Sequence, residues 1–153
     1  MKKLLFTILT LAILASCETK KSTASESTAS GSVTTSGSQP QCYALMTNGD
    51  TVRLSLTQTG NDVTGDLLYQ LSGKDRNTGT IHGQMHGDTL IADYTFQSEG
   101  VESVREVAFL TKEGGFVEGY GPVQEQKGKM IFTPNTPITF GSNRLLTKIT
   151  CPN

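Results

Sequence analysis

Few side chains in this sequence could do chemistry: two histidines, three cysteines, and a stretch from Tyr94 to Tyr120 in which charges and aromatic rings are set among apolar residues. His82 and His86 have the His-x-x-x-His spacing that clamps zinc or copper when it lies on a helix. The even alternation and two glycines of Ile81-His82-Gly83-Gln84-Met85-His86-Gly87 put them on a strand instead. There a rise of ~3.3 Å per residue holds the two rings ~13 Å apart, and Met85 faces the other way. No metal site is expected. The sequence carries no Gly-x-Ser-x-Gly turn, His-Glu-x-x-His helix, phosphate-cradling glycine loop or Cys-His nucleophile signature. No catalytic residue and no cofactor are assigned, and the reading is of a noncatalytic module.

The Tyr94–Tyr120 stretch is the most distinctive. Arg105 shares a strand face with Val107 and Phe109, so its guanidinium points toward an apolar interior. A charge placed there needs a carboxylate, and Glu118 or Glu99 is expected to supply it. Tyr69, Tyr94 and Tyr120 also fall on apolar faces and can bring hydroxyls to the same centre. Two uses stay open: a concave site for an anionic or sugar-like ligand anchored by Arg105, or an internal ion pair that sets strand register. The ion pair is the plainer of the two. Lys74-Asp75-Arg76-Asn77 reads as the solvated tip of a turn.

The elements that must position these residues are strands. Val52, Leu54 and Leu56 alternate with Arg53, Ser55 and Thr57; Val63, Gly65, Leu67, Tyr69 and Leu71 share one face; so do Leu90, Ala92, Tyr94 and Phe96. That period of two belongs to half-buried strands. Asn48-Gly49-Asp50, Gly60-Asn61-Asp62, Gly87-Asp88, Glu113-Gly114-Gly115 and Gln126-Lys127-Gly128 supply the hairpin turns. Strands are expected near 42–47, 51–58, 63–72, 78–86, 89–98, 103–112, 116–121, 129–133 and 144–150, with Pro134 to Asn143 irregular. Consecutive strands at about ten-residue spacing predict an all-β fold, a single small antiparallel up-and-down barrel of about eight strands, with a β-sandwich as the alternative. Mid-strand Gly65, Gly83 and Gly119 suit the bends of a small barrel. The pattern resembles in shape the lipocalin-like and avidin-like barrels, although the chain has no Trp and hence no Gly-x-Trp motif.

Ahead of residue 41 the composition changes twice. Met1-Lys2-Lys3 and the apolar run Leu4 to Leu14 form a secretory address too short to span a bilayer. Leu14-Ala15-Ser16-Cys17 then closely resembles the lipobox of bacterial lipoproteins. The resemblance implies cleavage before Cys17, a diacylglyceryl group on its sulfur, acylation of the new amino group, and stable membrane anchoring by two or three chains. Residues 1–16 are thus expected to be a lipoprotein signal peptide. Glu18 is not the Asp that marks inner-membrane retention in enteric bacteria, which favours the outer membrane. From Glu18 to Pro40, twelve of twenty-three residues are Ser or Thr. Residues 17–40 are therefore expected to be a lipidated cysteine and a disordered tether with a reach of roughly 25 Å. Residues 41–153 are the barrel.

With Cys17 assigned to lipid, Cys42 and Cys151 remain, at the start of the first strand and the end of the last. In a closed meander those strands are neighbours, and an exported protein is in oxidising surroundings, so a disulfide is expected between them. Loss of Lys2 and Lys3 with the leader leaves 11 basic residues of 13 against 14 acidic, a net charge of −3. That excludes no binding partner except nucleic acid, which needs a basic surface. The expected role is a lipid-anchored cell-envelope module that binds a protein or glycan partner; the alternative is a carrier or sensor of a small ligand in the barrel mouth. Periplasmic lysozyme inhibitors are also small lipid-anchored barrels, but their Ser-Gly-x-x-Tyr motif is absent here.

Overall fold

The computed structural model describes residues 38–152; the leader, Cys17 and most of the tether lie outside them. Among the described residues every regular element is a strand: β1 Gln41–Thr47, β2 Asp50–Thr59, β3 Asp62–Gln70, β4 Asn77–His86, β5 Thr89–Ser98, β6 Val101–Lys112, β7 Gly115–Tyr120, β8 Val123–Gln126, β9 Lys129–Phe132 and β10 Thr139–Ile149. Antiparallel neighbours run β1 to β7 in sequence order, and β10 closes the ring between β7 and β1. The result is an eight-stranded closed barrel, with the β8–β9 hairpin outside the ring. Closure leaves no free edge in the ring itself, which removes the aggregation hazard of an open meander.

The turns have the backbone that their residues allow. Asn48 and Gly49 both have positive φ, at 50° and 84°, the type I′ pattern whose twist matches that of the flanking strands. Inside the ring, alternate residues pack into one core: Val52, Leu54 and Leu56 from β2, Val63 and Leu67 from β3, Ile81 from β4, Leu90 and Tyr94 from β5, Phe109 from β6 and Leu146 from β10. Each of these is almost wholly removed from water, which stabilises the fold by ~1.5–3 kcal/mol per large apolar side chain. The middle of the barrel is therefore filled.

Gly65, Gly79 and Gly83 sit on the inward faces of β3 and β4, where the strands bend across their neighbours. A Cβ at Gly83 would overlap the Ile91 carbonyl oxygen and the Ala92 Cα. Since the obstacle is backbone, a Gly83→Ala protein is expected to lose ~1–3 kcal/mol by chemical denaturation. An unchanged denaturation midpoint would show that β4 and β5 can separate freely.

The barrel has two distinct ends. The β2–β3, β4–β5 and β6–β7 turns lie at one, together with the start of β1 and the end of β10. At this base Cys42 opposes Ile149, and Cys42 is bonded to Cys151 with a Cα–Cα distance of 5.1 Å. The expected disulfide is present. The β1–β2, β3–β4 and β5–β6 turns and the end of β7 form the other end, the mouth.

Two stretches differ from expectation. Residues 139–143, expected to be irregular, are the first half of β10, where Thr139 and Phe140 pair with Tyr120 and Gly119 before a register shift ahead of Leu145. Val123–Gln126, for which no strand is expected, forms β8. The expected third strand is also shorter, ending at Gln70 rather than residue 72.

Candidate functional site

Four of the six candidate ligand-binding residues converge at the mouth. Arg105 on β6, Tyr69 at the end of β3, and Glu118 and Tyr120 at the end of β7 line a half-open cavity of about 420 Å³. Its remaining wall includes Leu71, Asn77, Val107 and, from the outer hairpin, Val123, Met130 and Phe132. Tyr94 lies beneath the cavity, directly opposite Arg105 in the β5–β6 pairing. Glu99 does not take part: it is exposed in the β5–β6 turn with φ of 50°, and it does not line the cavity.

Arg105 is held by rings rather than by a carboxylate. Its guanidinium carbon lies 5.2 Å from the ring centre of Tyr69, 5.6 Å from Tyr94 and 5.4 Å from Phe96. Each such contact contributes roughly 0.5–2 kcal/mol, more as water is excluded. Tyr94 and Phe96 are themselves stacked at 4.7 Å, with 13° between planes, which gives the cage a flat wall. Among the described residues the ion pairs are Lys112 with Glu113 and Lys129 with Asp93 and Glu106; Arg105 belongs to none of them. The expected counter-charge from Glu118 or Glu99 is therefore not made. Arg105 Nε is buried without a hydrogen-bond partner. The cation keeps hydrogen-bonding capacity in reserve.

Glu118 has found other partners. It is buried, and its two oxygens each accept one phenol: Tyr69 donates to Oε1 at 2.5 Å and Tyr120 to Oε2 at 2.7 Å. Phe116, Glu118 and Tyr120 follow the inward face of β7 from the core toward the mouth, so an unbroken alternation delivers the carboxylate to this depth. On the opposite face, Gly119 has no side chain because Ile138 and Phe140 pack against it. The phenols respond to burial and to this charge. Burial first, then the charge and hydrogen bond of Glu118, holds Tyr69 well above the ordinary phenol range, against the opposing pull of Arg105. The same causes raise Tyr120. Burial pushes Tyr94 up to about 12, again opposed by Arg105, and burial alone raises Tyr43.

These directions fix a pH dependence. A phenol whose pKa is raised on folding stabilises the native state fully below its unfolded value near 10, and that contribution is lost as pH rises beyond it. All four tyrosines are shifted the same way. Ultraviolet difference titration at pH 10 should therefore find the folded protein with little tyrosinate and the unfolded chain about half ionised. Half-ionised native tyrosines at that pH would mean that water reaches the Glu118 cluster freely.

The outer hairpin is the part of the site that sequence reasoning missed. β9 runs parallel to β6 for two residues, Val104 beside Lys129 and Arg105 beside Met130, and so occupies the wall that β7 vacates near the mouth. Lys129 is paired with Asp93 and Glu106, and the Phe132 N–H donates to Glu106 Oε2 at 2.8 Å. A parallel pairing between non-consecutive strands leaves no periodic signal in the chain. Asn77 was also hidden, within the charged tip 74–77: Lys74, Asp75 and Arg76 are exposed, while Asn77 turns inward with its Oδ1 buried and unpartnered. His82 and His86 lie on the exposed face of β4. Among the described residues no group of three or more His, Cys, Asp or Glu is arranged to hold a metal ion. Cys17, the candidate lipid attachment site, lies outside the described residues. No family model, curated protein or solved structure matches the chain.

Proposed function

We propose that this is a lipid-anchored cell-envelope protein, tethered at the outer membrane through Cys17, whose barrel binds a small anionic ligand at its mouth. The observation that carries the reading is the cavity around an arginine that has no carboxylate partner. A cation left unpaired in a partly desolvated cavity is an unfavourable arrangement unless an anion completes it. The filled core limits the ligand to the mouth, and a cavity of about 420 Å³ is within the usual range for small-molecule sites. Binding rather than catalysis is favoured because both oxygens of Glu118 are occupied by phenols. Moreover, among the described residues the Ser and Thr hydroxyls that hydrogen-bond do so to backbone carbonyls, not to a histidine or carboxylate side chain that could activate them, and Cys42 and Cys151 are held in their disulfide.

The test is purification from native membranes followed by mass spectrometry of both proteins and small molecules. The wild type should carry a small anion that an Arg105→Met protein lacks, while the variant still unfolds in a single cooperative transition. Co-purification of a protein equally with both forms, and of no small molecule with either, would instead support the envelope-partner reading. A Cys17→Ala protein should move to the soluble fraction, and continued membrane retention would count against the lipid anchor.

A further inference from the structure

We infer that the ligand is a monocarboxylate with an apolar body, its carboxylate on Arg105 and its body along the β8–β9 hairpin; this rests on the small-ligand reading above. Three observations support it. First, the charge around the cavity favours a single negative charge. Glu106 is already compensated by Lys129, so the uncompensated charges of the lining are the Arg105 guanidinium and the Glu118 carboxylate, and a dianion would bring two negative charges beside Glu118 with one guanidinium to meet them. The planar guanidinium suits the fork of a carboxylate.

Second, much of the cavity lining offers nothing to a polyol. Val123, Met130 and Phe132 of the hairpin, with Leu71 and Val107 of the ring, present apolar surface, whereas a sugar-like body needs a hydrogen-bond partner for each hydroxyl it buries. The free acceptor Asn77 Oδ1 leaves room for one donor on the ligand, not for many. Third, Tyr120, Val123 and Met130 of the lining are themselves exposed, so apolar surface reaches the rim of the cavity. An apolar body that outgrows the cavity would still meet protein there.

The experiment uses the full chain in phospholipid nanodiscs, with empty nanodiscs as the blank for partitioning. Binding is read by calorimetry and by saturation-transfer NMR for three probes: 3-phenylpropanoate, its neutral amide, and gluconate as a hydroxylated carboxylate. Fragments of this size bind in the millimolar range at ordinary ligand efficiency, so the titration extends through it. The phenylpropanoate should bind at least tenfold tighter than either of the others. Arg105→Met should abolish the preference for acid over amide, and Met130→Ser, at an exposed position that leaves the core intact, should weaken phenylpropanoate several-fold without affecting gluconate. Equal binding of acid and amide would overturn the carboxylate anchor; tighter binding of gluconate would overturn the apolar body while leaving the small-ligand reading in place. If no probe binds although an Arg105-dependent small anion co-purifies from native membranes, this inference fails alone. If nothing small co-purifies either, both fail.

Discussion

A protein with Cys42→Ala and Cys151→Ala should melt about 20 °C below the wild type. The bridge spans 109 residues of chain, nearly the whole barrel. In the chain-entropy account, freeing a loop of that length gives the unfolded state ~4–5 kcal/mol of conformational freedom. A domain of this size shifts by roughly 4–5 °C per kcal/mol, which sets the expected drop. The bridge joins β1 to Cys151, the second residue beyond β10, at the seam where the first and last strands of the meander meet. That seam has three paired residues, Cys42, Tyr43 and Ala44 with Ile149, Lys148 and Thr147, far fewer than the ten of the β5–β6 pairing. It should therefore open first in the reduced protein, and hydrogen exchange should show β1 and β10 losing protection before β5 and β6. A melting temperature unmoved by reductant would mean that the seam holds by packing alone.

The second large effect is expected at Glu118. Replacing it with Ala leaves the Tyr69 phenol buried with no acceptor, strands the Tyr120 phenol beside it, and opens a void on the inner face of β7. Hydrogen bonds to an ionised group contribute ~1.5–3 kcal/mol each. Tyr120 is half exposed and can turn to water, and relief from burying a charge offsets part of the loss. The net cost should be roughly 2–4 kcal/mol by denaturant titration. Glu118→Gln keeps one acceptor and should cost about half as much. It should also carry a signature that simple loss of packing lacks. The charge of Glu118 helps to hold both phenols high, so removing it should lower the pH at which Tyr69 and Tyr120 ionise, while Tyr94, raised by burial, stays in place. An alkaline titration identical to that of the wild type would show that burial alone governs these phenols.

Much of the barrel was legible in the chain because its interior is one continuous apolar surface sampled every second residue. Val52, Leu54 and Leu56, or Leu90, Ala92 and Tyr94, cannot be read as anything but half-buried strands, and the X-Gly pairs mark where the chain reverses. β8 escaped notice for the opposite reason: Val123-Gln124-Glu125-Gln126 is exposed throughout, and nothing in its composition records a buried face. The start of β10 is masked by Pro134 and Pro137 immediately before it, which read as loop, and by a register shift that breaks its alternation.

The site divides in the same way. Arg105, Tyr69, Tyr94, Glu118 and Tyr120 were accessible to sequence reasoning because each interrupts or extends an apolar face, so its direction followed from its neighbours. Their pairing was not. That Arg105 faces three rings while Glu118 takes two phenols turns on Tyr69 of β3, which reaches both from a strand that neighbours neither, a distance periodicity does not encode. Glu99 was misplaced because a charge beside a hairpin glycine looks like an available counter-ion, whereas its left-handed backbone simply turns the chain through solvent.

The polypeptide enters the barrel at Pro40 and Gln41, beside the Cys42–Cys151 bridge, at the base, whereas Arg105 and its aromatic cage open at the opposite pole. If the chain is anchored upstream as proposed, the pull would fall on this crosslinked foot rather than on the port. Tension along such a leash would be borne by a covalent staple rather than by the aromatic cage around Arg105.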